Sequence, residues 1–454
     1  MPFVATNPYT EEVLSRHDVL DPEGIDTALE LAATGYHVWR TTELKDRGEL
    51  MKRAAELLEG EIPVIAQLMT SEMGKTFAAA KGEAAKCAAT LRYFSEHAPA
   101  MLENEVITTN AARSGVRYEP VGPILAIMQW NFPLWQVVRF AGPTLMAGNA
   151  VVLKHAPNVP GCALYLEDLF TRAGFTRGVV TNLFVEPDQV PAIIADDRIA
   201  GVTLTGSERA GRAVAEEAGR NLKKCVLELG GSDAFVVAAS ADLDRTVANA
   251  VTARIQNNGQ ACIAAKRFIV VRERSEEFVD RFVDEMSKVT TGDPMDPATN
   301  LGPLVSKAQL ELLSAQVSSS VAQGAVVRAG GAALEGTGYF YPATVLTDVP
   351  AHARAANEEL FGPVAVVQVA NDLGHAIALA NDTPWGLAAS IWASDRREID
   401  EGVAQLDAGM VFANAIVASM PELPFGGTKK SGYGRELSRA GTREFTNQKS
   451  FYIA

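Results

Sequence analysis

The feature that most constrains the fold is a regular alternation of strand-like and helix-like segments that begins near residue 124. Apolar runs at 124–128 and 150–154 predict buried strands, and the amphipathic stretch 134–147 between them predicts a helix. Two more strands are predicted at 179–185 and 199–204. Strands that alternate with helices form parallel sheets, with ligand sites at the carboxyl ends of the strands. The chain is therefore predicted to be an α/β protein.

The 454 residues are too many for one small core, so more than one domain is expected. Helical periodicity fills 21–98, and alternating residues at 99–119 predict a β-ribbon. A second α/β block starts at Gly230 and ends near Phe425, with strands predicted at 234–238, 267–271, 326–329, 364–369 and 388–392. The tail ends in another β-like segment, which is expected to pair with the ribbon within or between subunits. These patterns divide the chain into three expected units. The first combines residues 1–98 with 120–229, the second comprises 230–425, and the third combines 99–119 with 435–454.

Composition excludes several classes of protein. Hydrophobic residues make up 47% and charged residues 21%, as in soluble globular proteins, and the net charge of −14 disfavours a nucleic-acid surface. No stretch of 18 apolar residues and no signal-like start is present, so neither a membrane span nor secretion is expected. Four scattered cysteines and six dispersed histidines form no CxxC or HExxH pattern. We expect a cytoplasmic protein without a disulfide framework or a catalytic metal.

A cysteine and a glutamate carry the clearest chemical signal. Cys262 follows the small-residue turn Gly259-Gln260-Ala261, which allows a reacting group to approach the sulfur closely. Glu228 is a lone carboxylate inside the apolar run VLELGG. A thiol that forms a covalent adduct and a desolvated carboxylate indicate nucleophilic catalysis with a separate general base. The remaining cysteines lie in apolar patterns and are interpreted as small buried hydrophobes: Cys87, Cys162 and Cys225.

Three weaker motifs lie at predicted strand ends. The G-x-G-x-x-G fingerprint of dinucleotide-binding proteins is absent. The segment TGSERAG at 205–211 follows a predicted strand and begins a helix, where backbone N–H groups can bind a diphosphate. The alternative is a simple strand-to-helix turn in which Ser207 caps the helix. Asn131 is placed to stabilise an oxyanion, although Asn-Phe-Pro is also ordinary turn chemistry. Lys154 is either a ligand of ribose hydroxyls or phosphate, or a surface lysine.

Taken in order, seven motifs resemble the NAD(P)-dependent aldehyde dehydrogenase superfamily over about 7–453: QWNFP, VLKHAP, LTGSERAG, LELGG, GQAC, NEELFGPV and PFGGTKKSGYGRE. The resemblance implies a Rossmann-type cofactor domain, an α/β catalytic domain and a small β-ribbon for oligomerisation, in a homodimer or homotetramer. These would correspond to the three units above. It also implies that Cys262 is the nucleophile, that Glu228 is the general base, and that Asn131 and the Cys262 backbone N–H form the oxyanion hole. The cofactor residues that it implies are Trp130, Lys154, Pro157, Gly206, Ser207, Gly211, Glu359 and Phe361.

The implied reaction needs no metal. Cys262 would attack an aldehyde to give a thiohemiacetal, loss of hydride to the nicotinamide would give a thioester, and Glu228 would activate the water that releases the acid. Two alternatives are an acylating relative that passes the thioester to coenzyme A and a catalytically silent protein on the same fold. The presence of Glu228 favours hydrolysis, and the complete set of Asn131, Glu228 and Cys262 favours activity.

Cofactor preference is predicted from position 157. Members of the family that prefer NAD often carry a glutamate there, three residues after the lysine, and its charge repels a 2′-phosphate. Pro157 removes that repulsion, and His155 is expected nearby. We therefore predict that NADP is preferred and that NAD remains usable.

Substrate choice is predicted from Arg139, eight residues after Asn131. This chain resembles the family members that oxidise succinic semialdehyde, which also carry an arginine near this position. In those enzymes the arginine pairs with the distal carboxylate of the substrate. Ser419 matches their hydroxyl contact, whereas Gln256 stands where that group often has a second arginine. The prediction is succinic semialdehyde, with another small aldehyde as the alternative. A salt bridge on the helix surface or at an interface is the alternative role for Arg139.

Overall fold

The first sheet has six strands, and its parallel part matches the predicted alternation. The computed structural model describes residues 3–454. Its strand order is β19-β9-β8-β5-β6-β7, in which β5 to β9 run parallel and β19 is antiparallel at the edge. The strands are β5 (Pro123–Ile127), β6 (Ala150–Lys154), β7 (Val180–Asn182), β8 (Gly201–Thr205), β9 (Lys224–Glu228) and β19 (Gly432–Tyr433). The helices between them are α5 (Trp135–Met146), α6 (Pro160–Ala173), α7 (Val190–Ala195) and α8 (Glu208–Arg220).

An N-terminal helical layer packs beside this sheet. The predicted helical stretch 21–98 contains four helices; the last three are separated because the chain turns at Glu61 and again at Gly74, whose φ of 81° suits glycine. Buried side chains such as Trp39, Leu91 and Phe94 join this layer to α5 in one core. The elements are β1 (Phe3–Thr6), β2 (Val13–His17), α1 (Pro22–Trp39), α2 (Leu44–Gly60), α3 (Ile62–Met73) and α4 (Phe77–Met101).

The second sheet has seven strands in the order β12-β13-β14-β11-β10-β16-β17, and only β12 runs antiparallel to its neighbour. Its strands are β10 (Ala234–Val237), β11 (Arg267–Val271), β12 (Val326–Ala329), β13 (Thr344–Thr347), β14 (Val364–Ala370), β16 (Ala388–Trp392) and β17 (Met410–Ala413). Around it lie α9 (Leu243–Ile255), α10 (Arg272–Ser287), α11 (Lys307–Ala322), α12 (Arg354–Asn357), α13 (Leu373–Asn381) and α14 (Arg396–Gln405). A short pair, β15 (Trp385–Gly386) and β18 (Thr428–Lys429), lies beside it.

A three-stranded ribbon completes the fold. It comprises β3 (Glu105–Val106), β4 (Arg113–Pro120) and β20 (Thr446–Ile453), and β20 follows α15 (Ser438–Glu444). The tail pairs with β4 within the same chain, from Thr446 opposite Pro120 to Ile453 opposite Arg113. Among residues 3–454, no helix is both long enough and apolar enough to cross a bilayer.

Two features of the fold differ from the sequence interpretation. Helix α4 continues past residue 98, because Ala98 and Met101 are buried against the core and this packing outweighs the effect of Pro99. Strands β1, β2, β13 and β17 are not among the strands that the sequence predicts. Between the second sheet and the tail, β19 returns to pair with β9, and this pairing brings the C-terminal region next to Glu228.

Candidate active site

A pocket of about 270 Å³ lies at the carboxyl ends of the first sheet's parallel strands. Thr205 ends β8 and is paired in register with Glu228, which ends β9. The loop that carries Cys262 closes the pocket from the side of the second sheet. Eight of the predicted residues line it: Trp130, Asn131, Gly206, Ser207, Glu228, Cys262, Glu359 and Phe361.

The Cys262 loop is held by unusual backbone geometry and by one lysine. Asn257 and Asn258 adopt left-handed conformations, and Gly259 (φ 73°) packs so closely on Gly362 that a Cβ would clash with its backbone. The ammonium of Lys266 donates to the Cys262 carbonyl at 2.7 Å and lies 3.2 Å from Glu359 Oε1. Lys266 therefore links the nucleophile's backbone to a predicted cofactor residue, a contact that the sequence analysis missed.

The Cys262 thiol is not intrinsically activated. Burial raises its pKa to about 11, and the positive charges of Arg139 and Lys266 only partly oppose this effect. At neutral pH the sulfur is therefore protonated, and attack on a carbonyl requires that its proton be removed.

Asn131 is oriented by a small amide network. Its Nδ2 donates to Gln260 O at 2.9 Å, and its Oδ1 accepts a hydrogen bond of 2.5 Å from Gln136 Nε2. The Asn257 side chain donates to the Asn131 carbonyl at 2.7 Å. Because a primary amide carries two N–H donors, one hydrogen of Asn131 remains for an oxyanion. Gln136 also lines the pocket and was not predicted.

Glu228 is the most electrostatically perturbed carboxyl in the pocket. It is 2% exposed, and neither of its oxygens has a hydrogen-bond partner within residues 3–454. Burial raises its pKa well above the ordinary value, the charge of Glu436 adds to the rise, and Arg139 opposes it. Gly426 leaves space beside the carboxyl, since a Cβ there would lie 2.7 Å from Glu228 Oε1. An unpaired buried carboxyl at a pocket is typical of a general base rather than of a structural residue.

The residues predicted at the diphosphate separate into two groups. Gly206 and Ser207 line the pocket at the start of α8, and Ser207 also caps that helix by accepting from Ala210 N at 3.3 Å. The turn at Gly206 and Ser207 is therefore a helix cap, and the same turn also faces the pocket in which a diphosphate was predicted. Gly211 is buried against Leu229, where a Cβ would lie 2.7 Å from the Leu229 methyl groups. Its observed role is the packing of α8 on β9.

Two aromatic side chains form another part of the pocket wall. The rings of Trp130 and Phe361 are 5.7 Å apart and nearly perpendicular. Gln309 Nε2 donates to the Phe361 carbonyl at 2.8 Å and fixes this segment, a contact that the sequence did not indicate. Glu359 Oε1 accepts from Gly231 N at 3.2 Å.

Lys154 and His155 are both buried, and neither lines the pocket. Lys154 ends β6 and is 8% exposed; burial lowers its pKa, and no carboxylate of residues 3–454 forms an ion pair with it. Pro157 is exposed just beyond it. His155 is fully buried, with Nε2 2.8 Å from Pro133 O and Nδ1 accepting from Ala156 N, and burial lowers its pKa to about 4. His155 is thus neighbouring in sequence to Pro157, but its enclosed, neutral imidazole supplies no positive charge for a 2′-phosphate.

The side chain of Arg139 contacts other residues of the chain. It is 3% exposed, forms an ion pair with Glu436, and donates to Thr205 Oγ1 at 3.3 Å. Its guanidinium lies 4.2 Å from the centre of the Phe425 ring. Arg139 lines neither this pocket nor the one that contains Ser419, and its charge is already paired, so binding of a substrate carboxylate by Arg139 stays a prediction that these contacts disfavour. The alternative, a salt bridge, is what the structure contains, but it is internal rather than at the surface.

The other two predicted substrate residues lie apart from each other. Ser419 lines a second pocket of about 190 Å³ and accepts a hydrogen bond of 2.7 Å from Lys86 Nζ. Gln256 follows the last turn of α9 and donates a long hydrogen bond of 3.4 Å to Ala253 O. Gln256 lines neither pocket, since its amide turns back to its own helix. Within residues 3–454, no group of three or more His, Cys, Asp or Glu side chains is arranged to hold a metal ion.

The half-buried thiol of Cys262, the unpaired carboxyl of Glu228 and the oriented amide of Asn131 thus share one pocket at the edge of a parallel sheet, an arrangement typical of enzymes that use covalent catalysis. The sequence matches the aldehyde dehydrogenase family over residues 2–451, and the chain belongs to that family.

Several relatives are similar over the full chain. Succinate-semialdehyde dehydrogenase [NADP(+)] 1 of Mycobacterium tuberculosis (strain H37Rv) is 48% identical, with all of both chains covered. Succinate-semialdehyde dehydrogenase [NADP(+)] of Mycobacterium avium is 47% identical and covers all of this chain and 97% of the relative. A crystal structure of succinic semialdehyde dehydrogenase from Streptococcus pyogenes with NADP+ as the cofactor has a TM-score of 0.97 at 38% identity, with 99% of each chain covered.

Proposed function

We propose that this enzyme oxidises succinic semialdehyde to succinate, with NADP as its preferred cofactor and NAD as a usable alternative. The observation that carries the proposal is the single pocket shared by Cys262, Glu228 and Asn131. Full-length similarity to relatives named for this substrate and this cofactor supports the substrate class. Another small aldehyde is the alternative substrate.

In the proposed mechanism, the Cys262 thiol first releases its proton to solvent, the thiolate then attacks the aldehyde carbon, and the carbonyl oxygen becomes an oxyanion. The free N–H of Asn131 and the Cys262 backbone N–H donate to that oxygen. The bound nicotinamide supplies the hydride acceptor that converts the thiohemiacetal into a thioester. Glu228, once ionised, takes a proton from the water that attacks the thioester and restores the thiol.

The cofactor is proposed to lie across the carboxyl ends of β6 and β8. Lys154 supplies an uncompensated ammonium for ribose or phosphate oxygens, and Gly206 and Ser207 supply a helix N-terminus for the diphosphate. Glu359 and Phe361 approach the nicotinamide half, and Trp130 completes the aromatic wall. Pro157 leaves the 2′ position free of a negative side chain. Gly211 supports this site only by packing.

Hydrolysis is favoured over transfer to coenzyme A because both Glu228 oxygens lack partners in residues 3–454. A carboxyl kept free beside the nucleophile suits activation of water.

We further propose that the units 1–98 with 120–229 and 230–425 act as cofactor and catalytic domains in a cytoplasmic enzyme. The ribbon of 99–119 and 435–454 is proposed to join subunits into a homodimer or homotetramer. Val106, Tyr452 and Ile453 expose 78%, 58% and 52% of their surface, as expected of an edge that a second subunit covers.

The test is kcat/KM for succinic semialdehyde and for butanal, each with NADP and with NAD. A strong preference for the semialdehyde with NADP is the expected result. Equal efficiency for the two aldehydes would remove the substrate assignment and leave the chemistry. Dependence of turnover on coenzyme A would instead favour the acylating alternative.

A further inference from the structure

We infer that Lys86, a residue of α4, binds the distal carboxylate of the substrate together with the Ser419 hydroxyl and thereby determines substrate specificity. The inference rests on the proposed function. Lys86 takes the place of Arg139 as the source of positive charge for this carboxylate, and the neutral Gln256 contributes none.

The geometry provides two adjacent hydrogen-bond donors for an anion. Lys86 Nζ lies 2.7 Å from Ser419 Oγ and 3.9 Å from the centre of the Trp135 ring. These contacts hold the ammonium in place at a half-buried position. An ammonium carries three N–H donors, and Ser419 uses its oxygen as an acceptor, so its own O–H remains available. A carboxylate accepts from both groups at once.

The charge of Lys86 has no counter-ion in the part of the chain that the structure describes, residues 3–454. Glu83, one turn earlier on α4, is already committed: it pairs with Lys75 and accepts from Leu134 N and Trp135 N, both at 2.9 Å. Arg139 is neutralised by Glu436. A partly desolvated cation without a partner is costly, and burial lowers the pKa of Lys86 to about 8. A substrate carboxylate would compensate this cost.

The position of this donor pair also connects it to the catalytic residues. Ser419 shares its pocket of about 190 Å³ with Phe425, and the next residue, Gly426, lies against Glu228. Trp135, on which the ammonium rests, begins α5 four residues after Asn131. The segment Phe425-Gly426 thus has Glu228 on one side and the anion site on the other. A short aldehyde with a terminal carboxylate matches this arrangement of an anion site near a nucleophile.

The main test compares Lys86→Gln with the control Lys81→Gln on the full-length enzyme. Lys81 lies on the same helix, is exposed, and contacts only the Phe77 ring at 5.0 Å. Loss of a charge-assisted hydrogen bond should lower kcat/KM for succinic semialdehyde about 10- to 100-fold, mainly through KM. Activity on butanal should stay within about twofold of wild type, and Lys81→Gln should change neither.

A second variant and a second ligand keep the inference testable if Lys86→Gln folds poorly. Ser419→Ala should reduce the preference for the semialdehyde in the same direction. Succinate should inhibit butanal oxidation by the wild-type enzyme more strongly than butyrate does. Unchanged semialdehyde KM in a folded Lys86→Gln enzyme, or equal inhibition by the two acids, would overturn the role of Lys86 while the proposed function stands. If the wild-type enzyme does not prefer the semialdehyde over butanal, both proposals fall.

Discussion

Replacing Arg139 by methionine should destabilise the whole enzyme instead of weakening the binding of one substrate. The substitution keeps an apolar side chain of similar length against Phe425 and removes the partner of Glu436. Removing one member of a buried ion pair costs about 3–5 kcal/mol, because the remaining charge is left uncompensated. At about 2 °C per kcal/mol for a large chain, the Tm should fall by about 6–10 °C.

The pH dependence of this effect follows from Glu436. Burial raises its pKa above the ordinary value although Arg139 opposes the rise, so the loss of Arg139 raises it further. When the pKa of a carboxyl is higher in the folded than in the unfolded protein, its protonated form stabilises the fold. This stabilisation is complete below the pKa of the unfolded state and is lost as the pH rises through the pKa of the folded state. The difference in Tm between wild type and Arg139→Met should therefore be largest at neutral and alkaline pH and should shrink below about pH 4.

The double variant Arg139→Met/Glu436→Gln is the control, since it removes both charges and should recover most of the lost Tm. Thermal melting followed by circular dichroism at several pH values measures all three proteins, and kinetics on succinic semialdehyde and butanal are recorded in parallel. A Tm within about 2 °C of wild type at pH 8, combined with a selective rise in KM for the semialdehyde, would refute this reasoning. It would return Arg139 to the role of a carboxylate ligand.

Three further predictions concern the reacting groups and the cofactor. Cys262→Ala should bind NADP normally, measured by fluorescence titration, and lose turnover of every aldehyde; activity near that of wild type would exclude Cys262 as the nucleophile. Glu228→Gln should form the thioester and release a first burst of NADPH, but its steady-state turnover should fall at least about 100-fold. Because burial raises the pKa of Glu228, the rate of thioester hydrolysis by the wild-type enzyme should increase with pH up to a midpoint above that of an ordinary glutamate. A rate that does not change with pH in stopped-flow measurements would contradict this. Pro157→Glu should lower the ratio of kcat/KM with NADP to kcat/KM with NAD about tenfold, because the new carboxylate repels the 2′-phosphate. Pro157→Ser is the uncharged control. An equal change in both variants would show that charge at this exposed position is not the cause.

Much of the pocket could be predicted because its residues lie within or beside recognisable local patterns. Glu228 ends an apolar strand, Gly206 and Ser207 open a helix directly after another strand, and Cys262 follows a small-residue turn. Carboxyl ends of parallel strands converge at one edge of a sheet, so residues at these local positions meet in three dimensions. The observed strands β6, β11, β12 and β16 have the predicted bounds for the same reason, since an apolar run flanked by turns determines both ends.

Charge pairing, in contrast, was decided only by the tertiary structure. Arg139 and Glu436 are separated by 297 positions, and Lys86 and Ser419 by 333, so no local pattern shows which cation has a counter-ion and which has none. The same holds for His155, whose neighbours in the sequence do not show that its imidazole is enclosed and neutral in the fold. The amino-acid sequence by itself determined the family and the alternation of strands and helices, and it predicts the nucleophile. Only the folded chain determined which charges are buried and already paired, because burial and long-range contacts set the electrostatic state of each group.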